Sequence, residues 1–118
     1  MSRFVLASGA ALAGSAVTLG AFGAHALKAS LSPEALDWWR TAVEYQMGHG
    51  LALVALGAAG AGGRWPPRLL GGGALLFSAT LYAMALGGPR WLGAVTPVGG
   101  LAMIVGWALL AVAALRRP

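Results

Sequence analysis

Charged residues fall in short stretches of this chain, and between them lie four runs that carry none: Phe4 to Ala24, Tyr45 to Gly63, Leu69 to Gly88 and Trp91 to Leu115. Crossing the hydrocarbon of a bilayer takes about 20 apolar residues in a helix, so each run is long enough to span. The runs are rich in Ala, Leu and Gly and lack the period-two alternation of barrel strands. They predict an all-α, integral membrane four-helix bundle, a single domain over residues 1–118 with spans of about 4–27, 41–63, 69–88 and 97–115. A water-soluble globule built from four such runs would have too little polar surface to cover them.

The polar interruptions predict the connections. Arg64 to Arg68, with Pro66-Pro67, reads as a tight turn that folds the second and third helices into an antiparallel hairpin. The segment from His25 to Arg40 is longer and holds its own start signal. Ser32-Pro33-Glu34 supplies an N-cap, a proline at the first helical position and an acid in the first turn. A helix starting there continues through Leu36, Trp38 and Trp39, which predicts a short interfacial helical extension before the second span, with both tryptophans at headgroup depth. Thr96-Pro97 reads as a second start signal, so that the fourth helix begins at Pro97 and Gly88 to Val95 form a loop. A helix beginning near Leu92 and kinked at Pro97 is the alternative. Arg3 ahead of the first run and Ala21-Phe22-Gly23 near its end resemble a signal peptide, but the run is long for a signal core and is assigned as a span. Small residues four apart, Ala16 with Gly20, Gly20 with Ala24 and Gly57 with Ala61, predict close backbone packing between helices.

Composition supports the membrane assignment: 58% of residues are hydrophobic and 9% charged, outside the ordinary soluble range. The net charge of +5 comes from residues standing singly or in pairs at the ends of runs. They read as lipid and topology determinants, whereas nucleic-acid binding would need a basic patch or a stacking platform. Alternating sides group Arg3, Arg64, Arg68, Arg116 and Arg117 with the amino terminus, against Lys28, Arg40 and Arg90. Five against three favours a cytoplasmic location for both termini. The three acids, Glu34, Asp37 and Glu44, all fall on the less basic side. Without cysteine there is no disulfide, thiolate metal site or cysteine nucleophile.

Ionisable groups inside a membrane are costly, which singles out Glu44, Tyr45, Gln46 and His49. At about 100° per residue Glu44 shares a face with Thr41, Gly48, Ala52, Ala55 and Ala59. That small-residue face is expected to pack inward, with Arg40 as an i, i+4 partner for Glu44. Tyr45 and His49 share an adjoining face, with Gln46 in reach, and His25 and Lys28 close the first helix at the same level. The candidate ligand- or proton-handling residues are therefore His25, Lys28, Glu44, Tyr45, Gln46 and His49, near the outer face. The plainer expectation is a paired acid that locks the helix entrance and hydrogen-bonded packing histidines. Proton or ion handling is the alternative. A two-histidine haem between the first two helices is chemically permitted, and a metal site would have only His25, His49 and Glu44 where about four ligands are needed. The expectation is no cofactor, no metal and no catalytic residue. Ser78 and Thr80 lie mid-span without an acid or imidazole nearby, and there is no nucleophile-elbow or nucleotide-binding glycine pattern. Gly71-Gly72-Gly73 reads as a helix-packing feature.

Gly20-Ala21-Phe22-Gly23-Ala24-His25-Ala26-Leu27-Lys28 and Thr41-Ala42-Val43-Glu44-Tyr45-Gln46-Met47-Gly48-His49-Gly50-Leu51-Ala52-Leu53 carry a family resemblance. Leu76-Phe77-Ser78-Ala79-Thr80-Leu81-Tyr82, Thr96-Pro97-Val98-Gly99-Gly100 and Gly106-Trp107 extend it over essentially the whole chain. The sequence resembles the small bacterial membrane proteins grouped as domain of unknown function 423, or uncharacterised protein family 0382. The resemblance implies a four-span protein of the bacterial inner membrane and supplies no activity. Gly50 stands where the resemblance leads one to expect alanine, a change expected to loosen the helix slightly. The functional expectation is a non-enzymatic inner-membrane protein whose polar site binds a small ligand, a lipid headgroup or a partner helix. The alternatives are a proton-coupled small-solute transporter acting as an oligomer, and an accessory subunit of a larger membrane complex. Expected partners are membrane lipids, with a homo-oligomer or larger complex as further options, and no nucleic acid.

Overall fold

A computed structural model describes residues 1–116; Arg117, grouped above with the amino-terminal side, lies outside the described residues. The described residues form four helices, α1 (Arg3–His25), α2 (Pro33–Ala59), α3 (Trp65–Ala85) and α4 (Leu92–Arg116). The start of α2 follows the sequence signal: the Ser32 hydroxyl accepts from the Ala35 amide at 3.1 Å, and Pro33 and Glu34 occupy the first turn. Ser2 caps α1 in the same way, accepting from the Val5 amide at 3.3 Å.

Two boundaries differ from expectation. The turn between α2 and α3 is not at Arg64 to Arg68. It is made earlier, where Gly60, Gly62 and Gly63 adopt positive φ values of 62°, 94° and 71° that side-chain-bearing residues rarely adopt. Pro66 and Pro67 belong instead to the first turn of α3, where a missing amide hydrogen leaves no helical bond unmade. The fourth helix likewise begins at Leu92, not Pro97, with Pro97 inside it. Thr96 is not a cap. Its hydroxyl bonds back to the Leu92 carbonyl at 3.0 Å and meets the Thr80 hydroxyl of α3 at 2.7 Å. The threonine is thus used for an interhelical contact, and the alternative of a helix starting near Leu92 describes this start.

Helices pack in chain order, α1 on α2, α2 on α3 and α3 on α4, while α1 and α3 barely meet. Close approach rests on facing glycines. A Cβ on Gly50 would lie 2.8 Å from the Ala13 nitrogen and 3.0 Å from the Gly9 carbonyl oxygen. Gly50 is therefore the seat of α1 on α2. Gly73 and Gly99 do the same for α3 and α4, each Cβ falling within 2.8 Å of the other's carbonyl oxygen. Lipid offers no hydrophobic drive between helices, so such contacts and interhelical hydrogen bonds hold the bundle.

Three helices, α1, α3 and α4, are long and apolar enough to cross a membrane. With 27 residues α2 has the length, but its first half carries Glu34, Asp37, Arg40 and Glu44. It is also the helix that both α1 and α3 cover.

Candidate functional site

Gln46 lies at the centre of α2, thirteen residues from Pro33 and thirteen from Ala59. Its side chain is buried and joins three helices. The amide nitrogen donates to the Ser15 hydroxyl at 2.7 Å and the Leu12 carbonyl at 3.0 Å on α1, and the amide oxygen accepts from the Tyr82 hydroxyl of α3 at 2.8 Å. A carbonyl can only accept, so Leu12 fixes which end of the amide faces α1. Ser15 in turn donates to the Ala11 carbonyl at 2.7 Å, leaving its lone pairs for Gln46.

Above this junction Tyr82 stands edge-on to Trp39, ring centroids 4.6 Å apart. Trp39 is buried, donates from Nε1 to the Leu19 carbonyl at 2.8 Å, and fills the space left by Gly23, where a Cβ would overlap the indole. Trp39 thus faces into the bundle and makes its hydrogen bond there.

His49 is buried one turn beyond Tyr45. Its Nδ1 faces the Tyr45 carbonyl at 2.8 Å, and its Nε2 lies 3.0 Å from Trp107 Nε1 on α4. The carbonyl only accepts and the indole only donates, so the ring carries its hydrogen on Nδ1. Both ring nitrogens are thus engaged by protein groups. Tyr45 lies nearly parallel to His49, at 9° and 6.1 Å between centroids, as their shared face predicted.

Glu44 is placed differently from expectation. It is exposed, and the buried face of α2 is Ala42, Gln46, His49, Gly50, Leu53 and Gly57, not the face of Gly48, Ala55 and Ala59. The inward face is set by α1, which seats the backbone of Gly9 and Ala13 on Gly50 and that of Leu6 on Gly57, and this seating rotates Glu44 out. The expected Arg40 to Glu44 pair is also replaced: Arg40 approaches Asp37 at 4.0 Å, with both side chains well exposed. Glu44 instead shares a groove of about 310 Å³ with Lys28 and Arg40, between the outer ends of α1 and α2 and walled by Leu36, Trp39 and Val43. Outer here means the end bearing the connections after α1 and α3. His25, exposed at the end of α1, is not among the groove's walls.

The six candidates thus divide into a buried set, Gln46 and His49 with Tyr45 alongside, and an outer set, Lys28 and Glu44, with His25 apart. Among the described residues no three His, Asp or Glu side chains gather as a metal site. Sequence reasoning left Ser15, Tyr82 and Trp107 out of the candidates and considered Ser78 only as a nucleophile, whereas its hydroxyl donates to the Ala42 carbonyl at 2.9 Å. Each is a polar group in an apolar run, which flags it as needing a partner. Sequence spacing within one helix does not identify that partner on another.

A family model described as "Protein of unknown function (DUF423)" matches residues 19–100, which covers α2 and α3 and reaches into α1 and α4. The UPF0382 inner membrane protein YgdD of Escherichia coli is 40% identical over 98% of this chain and 92% of its own. A UPF0382 membrane protein of Staphylococcus epidermidis is 43% identical over 86% of each chain, and one of Staphylococcus aureus 38% identical over 98% of each. No solved structure matches. This chain is a membrane protein and belongs to the DUF423 (UPF0382) family, whose function is unknown.

Proposed function

We propose that this protein is a non-enzymatic lipid-binding protein whose outer groove between α1 and α2 holds the headgroup of a zwitterionic phospholipid. The observation that carries the reading is the meeting of Lys28, Arg40 and Glu44 around one groove with apolar walls. A phosphoethanolamine headgroup presents a phosphate and an ammonium. The groove offers cations for the first and a carboxylate for the second, each able to form a charge-assisted hydrogen bond. A carboxylate exposed on a membrane helix is costly unless paired, and Arg40 is turned towards Asp37. A headgroup ammonium supplies the missing partner.

In this reading all four helices cross the bacterial inner membrane with both termini in the cytoplasm, and α2 carries its polar residues under the cover of α1 and α3. Gln46 and His49 act as structural locks. The proton-coupled alternative has less support, because Glu44 and His49 point about 140° apart on α2 and His49 has both nitrogens engaged.

The test is native mass spectrometry of protein released from mild detergent in equal amounts of phosphatidylethanolamine, phosphatidylcholine and phosphatidylglycerol. Preferential retention of phosphatidylethanolamine, lost in Glu44→Gln and in Lys28→Gln with Arg40→Gln, is expected. Equal retention of the three lipids, or retention indifferent to Glu44→Gln, would overturn the reading.

A further inference from the structure

The opposite end of the molecule holds a larger cavity, about 690 Å³, which lies within the size range of ligand sites. It exists because α1 and α3 both pack on α2 but barely meet each other, leaving a cleft floored by Leu53 and Leu56. Phe4 and Leu12 of α1 form one wall and Gly72 and Leu75 of α3 the other, while Arg64 and Arg68 line the mouth. A Cβ on Gly72 would meet nothing within 4 Å, so the cleft stays open partly because that position has no side chain.

From this geometry we propose that the cleft binds one anionic phospholipid of the leaflet on the side of Arg64 and Arg68, its phosphate between the two arginines and an acyl chain between α1 and α3. Charge complementarity supports an anion. Both arginines are exposed, and the three acids of the chain all lie in α2 toward the outer end, away from the mouth. Trp65 is half exposed beside Arg68, whose guanidinium carbon lies 5.4 Å from the ring centroid, the placement expected of an interfacial tryptophan. Depth agrees as well. Arg68 to Leu75 is seven residues of α3, about 10 Å of helix. One leaflet offers about half of a hydrocarbon core roughly 30 Å thick, so the cleft accommodates the upper part of a chain without leaving its leaflet. Where the chain would lie the walls are apolar apart from the Ser8 hydroxyl, and the two arginines stand where the phosphate would sit.

This site is independent of the outer groove, since it has no residue in common with it and offers no carboxylate for an ammonium. Native mass spectrometry with phosphatidylglycerol and phosphatidylcholine, titrated separately into delipidated protein, tests it. Phosphatidylglycerol is expected to bind in preference, and each of Arg64→Gln and Arg68→Gln to weaken it about five-fold. Gly72→Leu fills the cleft from a position with open space and a better helix former, so it keeps the fold and is expected to abolish that binding while leaving any lipid of the outer groove in place. Equal binding of the two lipids, or phosphatidylglycerol retention unchanged in Gly72→Leu, would overturn the proposal. So would a dimer that retains no lipid and dissociates on Gly72→Leu, since the cleft would then be a protein interface.

Discussion

The Tyr82 hydroxyl donates to the Gln46 amide oxygen at 2.8 Å while the Tyr82 ring stands edge-on to Trp39, so one residue of α3 holds α2 at two levels. Through the other end of the same amide the contact continues to Leu12 and Ser15 of α1. Three helices therefore share a single buried junction, and disturbing any member exposes the others.

Tyr82→Phe keeps the ring on Trp39 and removes only the hydroxyl. It is expected to cost about 1 kcal/mol, the scale of one interhelical hydrogen bond in a membrane. Gln46→Leu removes three bonds and leaves the part-buried Tyr82 hydroxyl without this partner, at about 2 kcal/mol. The double variant should cost less than the sum, because the unpartnered hydroxyl is then gone. Unfolding in mixed micelles measures all three, and strict additivity would show that the two side chains are not coupled.

Gly50→Ala tests which of two opposed effects wins. Helix propensity favours alanine by about 1 kcal/mol. Overpacking against the backbone of Ala13 and Gly9 costs about 1–3 kcal/mol, and backbone atoms cannot swing aside as a side-chain tip can. Net destabilisation is expected, with the thermal midpoint lowered; a raised midpoint would mean that α1 shifts freely on α2.

Heavy-nitrogen NMR of histidine-labelled protein reads the His49 tautomer directly, with His25→Gln removing the second signal. The ring should carry its hydrogen on Nδ1 and accept at Nε2 from Trp107. Trp107→Phe withdraws that donor and should shift the population towards the other tautomer. An unchanged spectrum would place Trp107 away from the imidazole.

Thr80 and Thr96 give a fourth check at the other helix pair. Thr96→Val removes their 2.7 Å contact and the bond to the Leu92 carbonyl, two bonds at about 0.5–1 kcal/mol each. A destabilisation that is much smaller when Thr80 is already valine identifies the Thr80 contact as its source.

Membrane residence, the number of helices and the capped start of α2 could be read from the sequence by itself, because they depend on local chemistry. An uncharged run must bury itself in lipid, and Ser32 bonds an amide only three residues away. The polar cluster on α2 was visible for the same reason, since any polar residue in an apolar run stands out. Which side of α2 faces inward was settled only by the tertiary structure. Small residues occur all round that helix, and composition could not distinguish the Gly50 and Gly57 face that meets α1 from the Gly48 and Ala59 face that does not. That choice of seat buries Gln46 and His49, turns Glu44 outward to Lys28 and Arg40, and leaves α1 and α3 apart over the basic cleft. Likewise Thr96 carried the chemistry of a cap, and only the nearness of Thr80 on α3 committed its hydroxyl to an interhelical contact inside a longer α4. Local bonding is encoded within a few residues; facing and partnership depend on contacts between helices distant in sequence.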